Sequence, residues 1–555
     1  MFSKKKFMKP LFLFLFMVYS ACLFAQLDTT IYGVEINANN IKARINSNGS
    51  LFYNYETSQG EFFPDYIQGG TNYTTLNNVG LWMGGIDKGG NLKTAAHNIE
   101  GGTTSDFAGG IINKDKTAPL QYSNKIWKVT RQQVEAHRKD WKDNGKIDKP
   151  IQAIYAWPAL GNAHCLANNG FVLDENNDGI DYAHFEDINK DGVYSPELGE
   201  YPTIAQNVCF GAMPEEIFWY SFHDFKPHSV SKGMTGHLEI QAEVYGYHCT
   251  KEPYLNNSVF VNYFIWNKSE EDIDSFHVGL CADFSIGCDE KNYVGTIHEN
   301  NTAYAYHSNS KSDSCNEYPP VQAITLFNIH NLKTFDFPDA KVNSIQPITF
   351  DDSENGLPQN ATEYYEMLCG NTRKGTLRPK FYYPDPPNKA GVSEHTLKNT
   401  PGRRRMLMVA PDSRFIVGAR NDYTFVFTAH APKVSLPTFA KVDEMYATDT
   451  HYEYFWTCDA GIFSCGNFTD TDENTNQNTV SIFPNPAQNM FSIQNNSSQR
   501  IDIQVINALG VLLKKGSIEG YETSTYPTQG LPSGMYFLNV LQENKTLVTK
   551  RIVVD

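Results

Sequence analysis

The chain has 555 residues, 41% hydrophobic and 13% aromatic, and a formal net charge of −16. At about 150 residues per domain this length implies three or four domains, with enough apolar residues for real cores. The acidic balance argues against nucleic acid as a partner, because phosphate binding needs a basic surface, and suits divalent cations instead.

At the N-terminus Lys4, Lys5, Lys6 and Lys9 precede the unbroken apolar run Leu11–Val18. This is the layout of a signal peptide (residues 1–25), with cleavage expected after Ala25. A bilayer span takes about 20 apolar residues, which this run does not reach and no later segment offers, so the mature chain is expected without a transmembrane segment. Ser20-Ala21-Cys22 is close to a lipobox, but Tyr19 stands where Leu belongs. Nine of the ten cysteines lie beyond Cys22. Cys281/Cys288 and Cys458/Cys465 share one spacing, and each pair would close a small loop in an oxidising compartment. Free buried thiols are the alternative, because spacing alone does not fix pairing. Zinc is disfavoured, as no C-x2-C knuckle is present.

Past the leader, Ile31–Ile36, Ile41–Ile45, Leu51–Tyr55 and Gly80–Gly85 read as strands framed by Asn and Gly turns. Asn91–His97 and Lys125–Lys139 are the least β-like, and the second reads as a short helix ending near Asp143-Asn144-Gly145. Trp157–Pro202 is loop-rich and dense in Asp, Asn and Gly. From Glu215 the strand pattern repeats at Ile217–Phe222, His237–His248, Ser258–Trp266, Ser275–Phe284, Ala303–Tyr306, Ala323–Ile329, Phe415–Ala419 and Tyr423–Ala429. Pro358–Pro401, rich in Pro, Gly, Lys and Arg, reads as a long loop or insertion. The expected organisation is a β/loop-rich region over 26–214, a β-sandwich-like region over 215–466, a polar linker over 467–479 and a terminal module over 480–555. The fold class is mainly β: a large sandwich-like body followed by a small C-terminal Ig-like β-sandwich.

The sharpest chemical signal is a tandem of acidic loops, Asp174–Asp181 and Asp187–Ser195, both spaced D-x-N-x-D-G. That spacing puts oxygen ligands at alternate positions, and the Gly allows the tight curl that calcium coordination needs. The expected ligands are Asp174, Asn176, Asp178 and the Ile180 carbonyl in the first loop. In the second they are Asp187, Asn189, Asp191 and the Val193 carbonyl, closed by Glu197 or Glu200. Phe185 and Leu198 stand where an EF-hand carries its bidentate acid, so neither loop is an EF-hand. The second resembles the looser loops of dockerins and thrombospondin-type repeats. Calcium would be structural here, tying down a loop that has no core of its own. The bland alternative is a solvated turn.

Other constellations read as structural. His223, Asp224 and His228 are spaced for neither a helix nor a strand face, and Pro227 interrupts both. His298-Glu299 lacks the second His of H-E-x-x-H. Glu215 and Glu216 read as solvent-facing acids before a strand, Cys165 beside His164 defines no catalytic pair, and the tryptophans read mostly as packing residues.

The terminal stretch opens with Ser481-Ile482-Phe483-Pro484-Asn485-Pro486-Ala487, passes through Gly530–Phe537 and closes on Lys550–Asp555. Ile501, Ile503 and Val505 alternate with polar residues as in a half-buried strand, Asn507–Gly510 turns, and strands follow at Val511–Leu513, Met535–Leu541 and Thr546–Val554. These elements resemble the type A C-terminal sorting domain of the type IX secretion system of Bacteroidota. The resemblance implies export through the periplasm, recognition by the type IX machinery, and release or attachment to surface lipopolysaccharide. Gly80–Asp87, Trp157–Asn162, Asp187–Pro202 and Gly287–Thr296 more loosely resemble segments of large secreted Bacteroidota proteins with the same tail. The body is expected to serve a non-catalytic role in adhesion, glycan contact or a surface layer; a secreted hydrolase of polysaccharide or protein is the alternative.

Overall fold

The computed structural model describes residues 31–430, 442, 445 and 480–554, apart from 65–72, 114, 117–118, 121–122, 174–181, 206–212, 250–252, 288–289, 310–318, 332–340, 388, 484–486, 508–511, 533 and 543–544. Two compact units emerge, one formed by the body and one containing the terminal module. The leader, the linker, the first acidic loop and Cys458/Cys465 lie outside the described residues.

The body is a sandwich of antiparallel sheets. In the first, the order is Asn292–Ile297, Thr302–His307, Val321–Asn331, Arg420–His430, Ser258–Asn267, Leu238–Gly246, Glu216–His223 and Ala108–Gly109, with Trp127–Thr130 also pairing with Glu216–His223. Alternation along each strand sets the register. Phe218, Tyr220 and Phe222 sit opposite Val244, Ala242 and Ile240, which in turn face Val261, Tyr263 and Ile265. The second sheet runs Ser344–Ile348, Arg404–Val409, Ile273–Phe284, Leu76–Asp87 and Leu92–Ala96, with Ser413–Phe415 at its side. Leu81, Met83, Val278, Leu280, Met406 and Met408 meet the first sheet's apolar residues in one core. Each such side chain withdrawn from water contributes about 1.5–3 kcal/mol relative to exposure. Ile36, Ile41 and Phe62 join Phe218 and Val261 in this core, so the regions before and after residue 214 are built around the same interior.

The second sheet's other face is also covered. Trp82, Ala96, Cys281, Leu407 and Val409 pack with Tyr364, Met367 and Leu368 of the helix Ala361–Leu368, which Asn360 caps through the Glu363 amide at 3.2 Å. This helix lies inside the segment expected to be a loop. The helix expected near Asp143 runs Arg131–Asn144. Thr130 and Gln133 satisfy each other's backbone amides in a capping box, and Gly145 at φ 73° ends it.

Several expectations are corrected. Leu92–Ala96 is a strand, paired with Trp82–Ile86 of the neighbouring strand; just past the end of that ladder Gly80 leaves room for His97, whose Cβ would lie only 2.4 Å from a Cβ placed there. Of Phe415–Ala419 only Phe415 is extended, because Gly418 turns the chain at φ 67°. Cys281 is a free, buried thiol mid-strand, which excludes the Cys281/Cys288 bridge, whereas Cys249 is disulfide-bonded.

The terminal module is a second, small sandwich. One sheet joins Val480–Phe483, Met490–Asn495 and Thr523–Pro527; the other orders Leu512–Ile518, Ile501–Asn507, Gly534–Gln542 and Lys545–Val554. Its core cluster is Val480, Ala487, Phe491, Ile493, Ile501, Ile503, Val505, Ile518, Tyr536, Leu538, Val540, Ile552 and Val554. All of these lie within the module, so it has an interior of its own. Among the described residues no helix is long and apolar enough to cross a membrane.

Candidate cation site

The second acidic loop is the tip of a two-residue ladder in which Phe185 and Glu186 pair with Pro202 and Tyr201. Its root is pinned to the body. The His184 carbonyl accepts from Trp157 Nε1 at 3.0 Å and from the Thr203 amide at 3.1 Å. His184 Nδ1 lies 2.5 Å from Oε1 of Glu243, a fully buried acid on Leu238–Gly246, and Glu243 Oε2 accepts from the Ala205 amide and from Asn262 Nδ2.

Within the loop, side-chain oxygens curl the backbone around themselves. Asp187 Oδ1 accepts from the amides of Lys190 (2.6 Å) and Asp191 (3.2 Å), and its Oδ2 from Gly192 (2.8 Å). Asn189 Oδ1 accepts from the Asp191 amide at 2.9 Å, and Asp191 Oδ1 from Val193 at 2.8 Å. Lys190 and Gly192 adopt φ of 62° and 75°, which the curl requires and which Gly takes at little cost. Below it, the 3-10 turn Pro196–Leu198 and Gly199 at φ 88° bring the chain back. A Cβ on Gly199 would sit 2.5 Å from the Trp141 ring.

That return decides which acid faces the loop. Glu197 is half exposed and lies 3.0 Å from His164 Nε2. Glu200 is 0% exposed; its Oε2 accepts from the Ser195 amide at 2.7 Å, and its carbonyl from His137 Nε2 at 3.1 Å. Its Oε1 has no hydrogen-bond partner. One carboxylate oxygen each of Asp187, Asp191 and Glu200 lie within 4.8 Å of one another. Calcium–oxygen distances of about 2.3–2.6 Å put two ligands of one ion at most about 5 Å apart, so the three match a shared cation. Burial, with the negative charges of Asp187 and Asp191 adding to it, pushes the Glu200 carboxyl up from its ordinary value, against the pull of the Ser195 and Asn189 amides. A second acidic group among the described residues, Asp140, Asp143 and Asp148, contains no buried acid.

The remaining sequence candidates are committed elsewhere. Asp224 accepts from the amides of Gly236 and Leu238, both at 2.6 Å, and His228 contacts the carbonyls of Thr94 and Asp224. Glu215 pairs with Arg131 at 2.6 Å and Glu216 with Lys128 at 2.5 Å. Trp82, Trp157 and Trp219 are fully buried.

Sequence reasoning missed two arrangements that only folding creates. Glu239 and Glu243 are buried on one strand face, the former held by Lys268 at 2.8 Å and the Ile112 amide at 2.7 Å. Four residues of strand put their Cα atoms about 13 Å apart, and each carboxylate is taken up by its own neighbours, Glu243 by His184, Asn262 and the Ala205 amide. Cys369 Sγ lies 3.7 Å from His277 Nε2. Burial and the nearby Glu366 and Asp412 push this thiol up to about 11, the opposite of what a nucleophile needs.

Residues 481–555 match the model of the secretion system C-terminal sorting domain family. The match supports secretion through a type IX system, out of the cell or to its surface, with the module contacting that machinery. No curated protein matches the chain. Among solved structures, a polysaccharide lyase is 10% identical, with a TM-score of 0.17 over 59% of this chain and 36% of the lyase, so the chain spans little more than a third of that protein. A biofilm associated protein BSP domain is 10% identical, with a TM-score of 0.14 over 95% of this chain and 80% of the domain. At such scores neither likeness informs fold or function.

Proposed function

We propose that the chain is a secreted or surface-displayed protein of a Bacteroidota species whose body acts outside the cell as a calcium-stabilised binding, adhesion or surface-structural module. The leader takes it to the periplasm, and the terminal sandwich then presents it to the type IX machinery. Surface lipopolysaccharide or glycans are the partners in keeping with that route. The observation that carries the reading is the terminal module, which combines the family match with an interior of its own. The non-catalytic reading of the body is supported by what its buried acids and thiols do. Glu239 and Glu243 are tied to structural partners, and Cys369 is held as a thiol.

Two experiments test this. Deleting Val480–Asp555 is expected to retain the body inside the cell envelope; its normal arrival outside would contradict the sorting assignment. Purified body on a glycan array, run beside a panel of polysaccharide and protein substrates, is expected to show binding without turnover. Turnover would replace the binding module with a hydrolase.

A further inference from the structure

Resting on the calcium reading above, we propose that Glu200 is the ligand that closes the Asp187–Asp191 loop around the ion, and that the ion is the missing partner of Glu200 Oε1. The ligand set is the carboxylates of Asp187, Asp191 and Glu200, the Asn189 side-chain oxygen and the Val193 carbonyl, with water completing a calcium shell of six to eight oxygens. An acidic loop on a surface is by itself unremarkable chemistry. Here the acid beneath the loop is fully buried, brings a carboxylate oxygen within reach of two further carboxylates, and has an Oε1 that no group in the fold meets at hydrogen-bond distance and angle. Among the described residues no lysine or arginine forms an ion pair with any of the three. Buried anions of this kind are ordinarily paired or coordinate a metal.

The choice of Glu200 over Glu197 follows from the backbone. The 3-10 turn sends Glu197 outward to His164, and Gly199 then returns the chain so that Glu200 lies under the loop. The closing acid thus comes two residues later than in an EF-hand, where this chain has Leu198. The same residue's carbonyl receives His137 of the Arg131–Asn144 helix, and Tyr194 of the loop donates to the Ile154 carbonyl at 3.0 Å. An ion here therefore fastens the loop to the helix and turn beneath it.

The test is calcium titration by calorimetry on the purified chain and on Glu200→Gln, Asp191→Asn and Glu197→Gln. Glu200→Gln and Asp191→Asn are each expected to weaken one site by at least the 10–100-fold typical of losing an outer-shell partner, while Glu197→Gln binds as the parent does. In EDTA, Glu200→Gln is expected to melt no lower than the parent, because it removes a crowded buried charge, yet to lose the calcium-induced rise. If Glu200→Gln is too unstable to titrate, Glu200→Asp, which keeps the charge but draws the oxygen back by one methylene, decides: weakened calcium binding beside an unchanged Glu197→Gln supports the assignment, and parent-like binding overturns it. Unchanged affinity in Glu200→Gln, with the loss appearing in Glu197→Gln, overturns the Glu200 assignment and leaves calcium binding standing. No heat from the parent chain at millimolar calcium overturns both.

Discussion

Acid is expected to destabilise the body through His97, and the size of the effect follows from the ring's surroundings. His97 is fully buried, stacked on Phe107 at 4.4 Å. The Leu81 amide donates to its Nδ1 at 3.1 Å, so Nε2 carries the proton and donates to the Asn48 carbonyl at 2.8 Å. Burial holds its pKa down at about 4; Asp106 opposes this from a distance and Lys226 reinforces it. In the unfolded chain the value returns to about 6.5. A base whose folded pKa is depressed contributes its full stability above about pH 6.5. That contribution drains as the pH falls and is exhausted near pH 4, below which both states are protonated. The gap of roughly 2.5 units is worth about 3 kcal/mol at about 1.36 kcal/mol per unit. The assay is urea unfolding of the parent and of His97→Gln, which keeps a donor for Asn48 and cannot titrate. The variant is expected to be less stable at pH 7.5, and the difference to move in its favour by about 3 kcal/mol on going to pH 4. His223, held near 3 by burial, is common to both proteins and cancels. Stability curves that stay parallel from pH 7.5 to 4 would refute the reasoning.

Chelation should lower the thermal midpoint of the body, and restored calcium should recover it. At 2 mM calcium and a Kd of about 0.1 mM the stabilisation is about 1.8 kcal/mol, and an unchanged melt in EDTA would remove the cation. Alkylation of the native protein at pH 8, read by mass spectrometry, should leave Cys281 unmodified and label Cys369 far more slowly than a free thiol, because burial raises both; rapid labelling of either would contradict their placement. Ile503→Ala, at a fully buried position of the terminal module, should cost that module about 2–5 kcal/mol, reduce export and leave the melt of the body in place. A matching fall in the melt of the body would show that the two are not separate cooperative units.

Strands whose alternation is carried by large side chains, such as Glu216–His223 and Ile501–Asn507, could be read directly from the chain. Leu92–Ala96 and Arg404–Val409 could not. The first is small and polar and the second opens with two arginines, and both become strands because neighbours supply the ladder and the burial. The helix Ala361–Leu368 was hidden by Pro-, Gly- and Lys-rich flanks, although Asn360 followed three residues on by Glu363 marks its start. At the candidate site, local spacing was enough to bring Asp187, Asn189 and Asp191 together, since one curl of the backbone positions all three. Choosing between Glu197 and Glu200 needed the direction of one 3-10 turn. The His184–Glu243 contact spans 59 residues of sequence and carries no local signal at all.

The most direct test of the central claim is to move Val480–Asp555 onto an unrelated exported reporter in a host with a working type IX system. The module folds around its own interior, so the reporter is expected outside the cell or on its surface, and retained when that system is inactivated. A reporter that stays in the periplasm with its module intact would contradict the account.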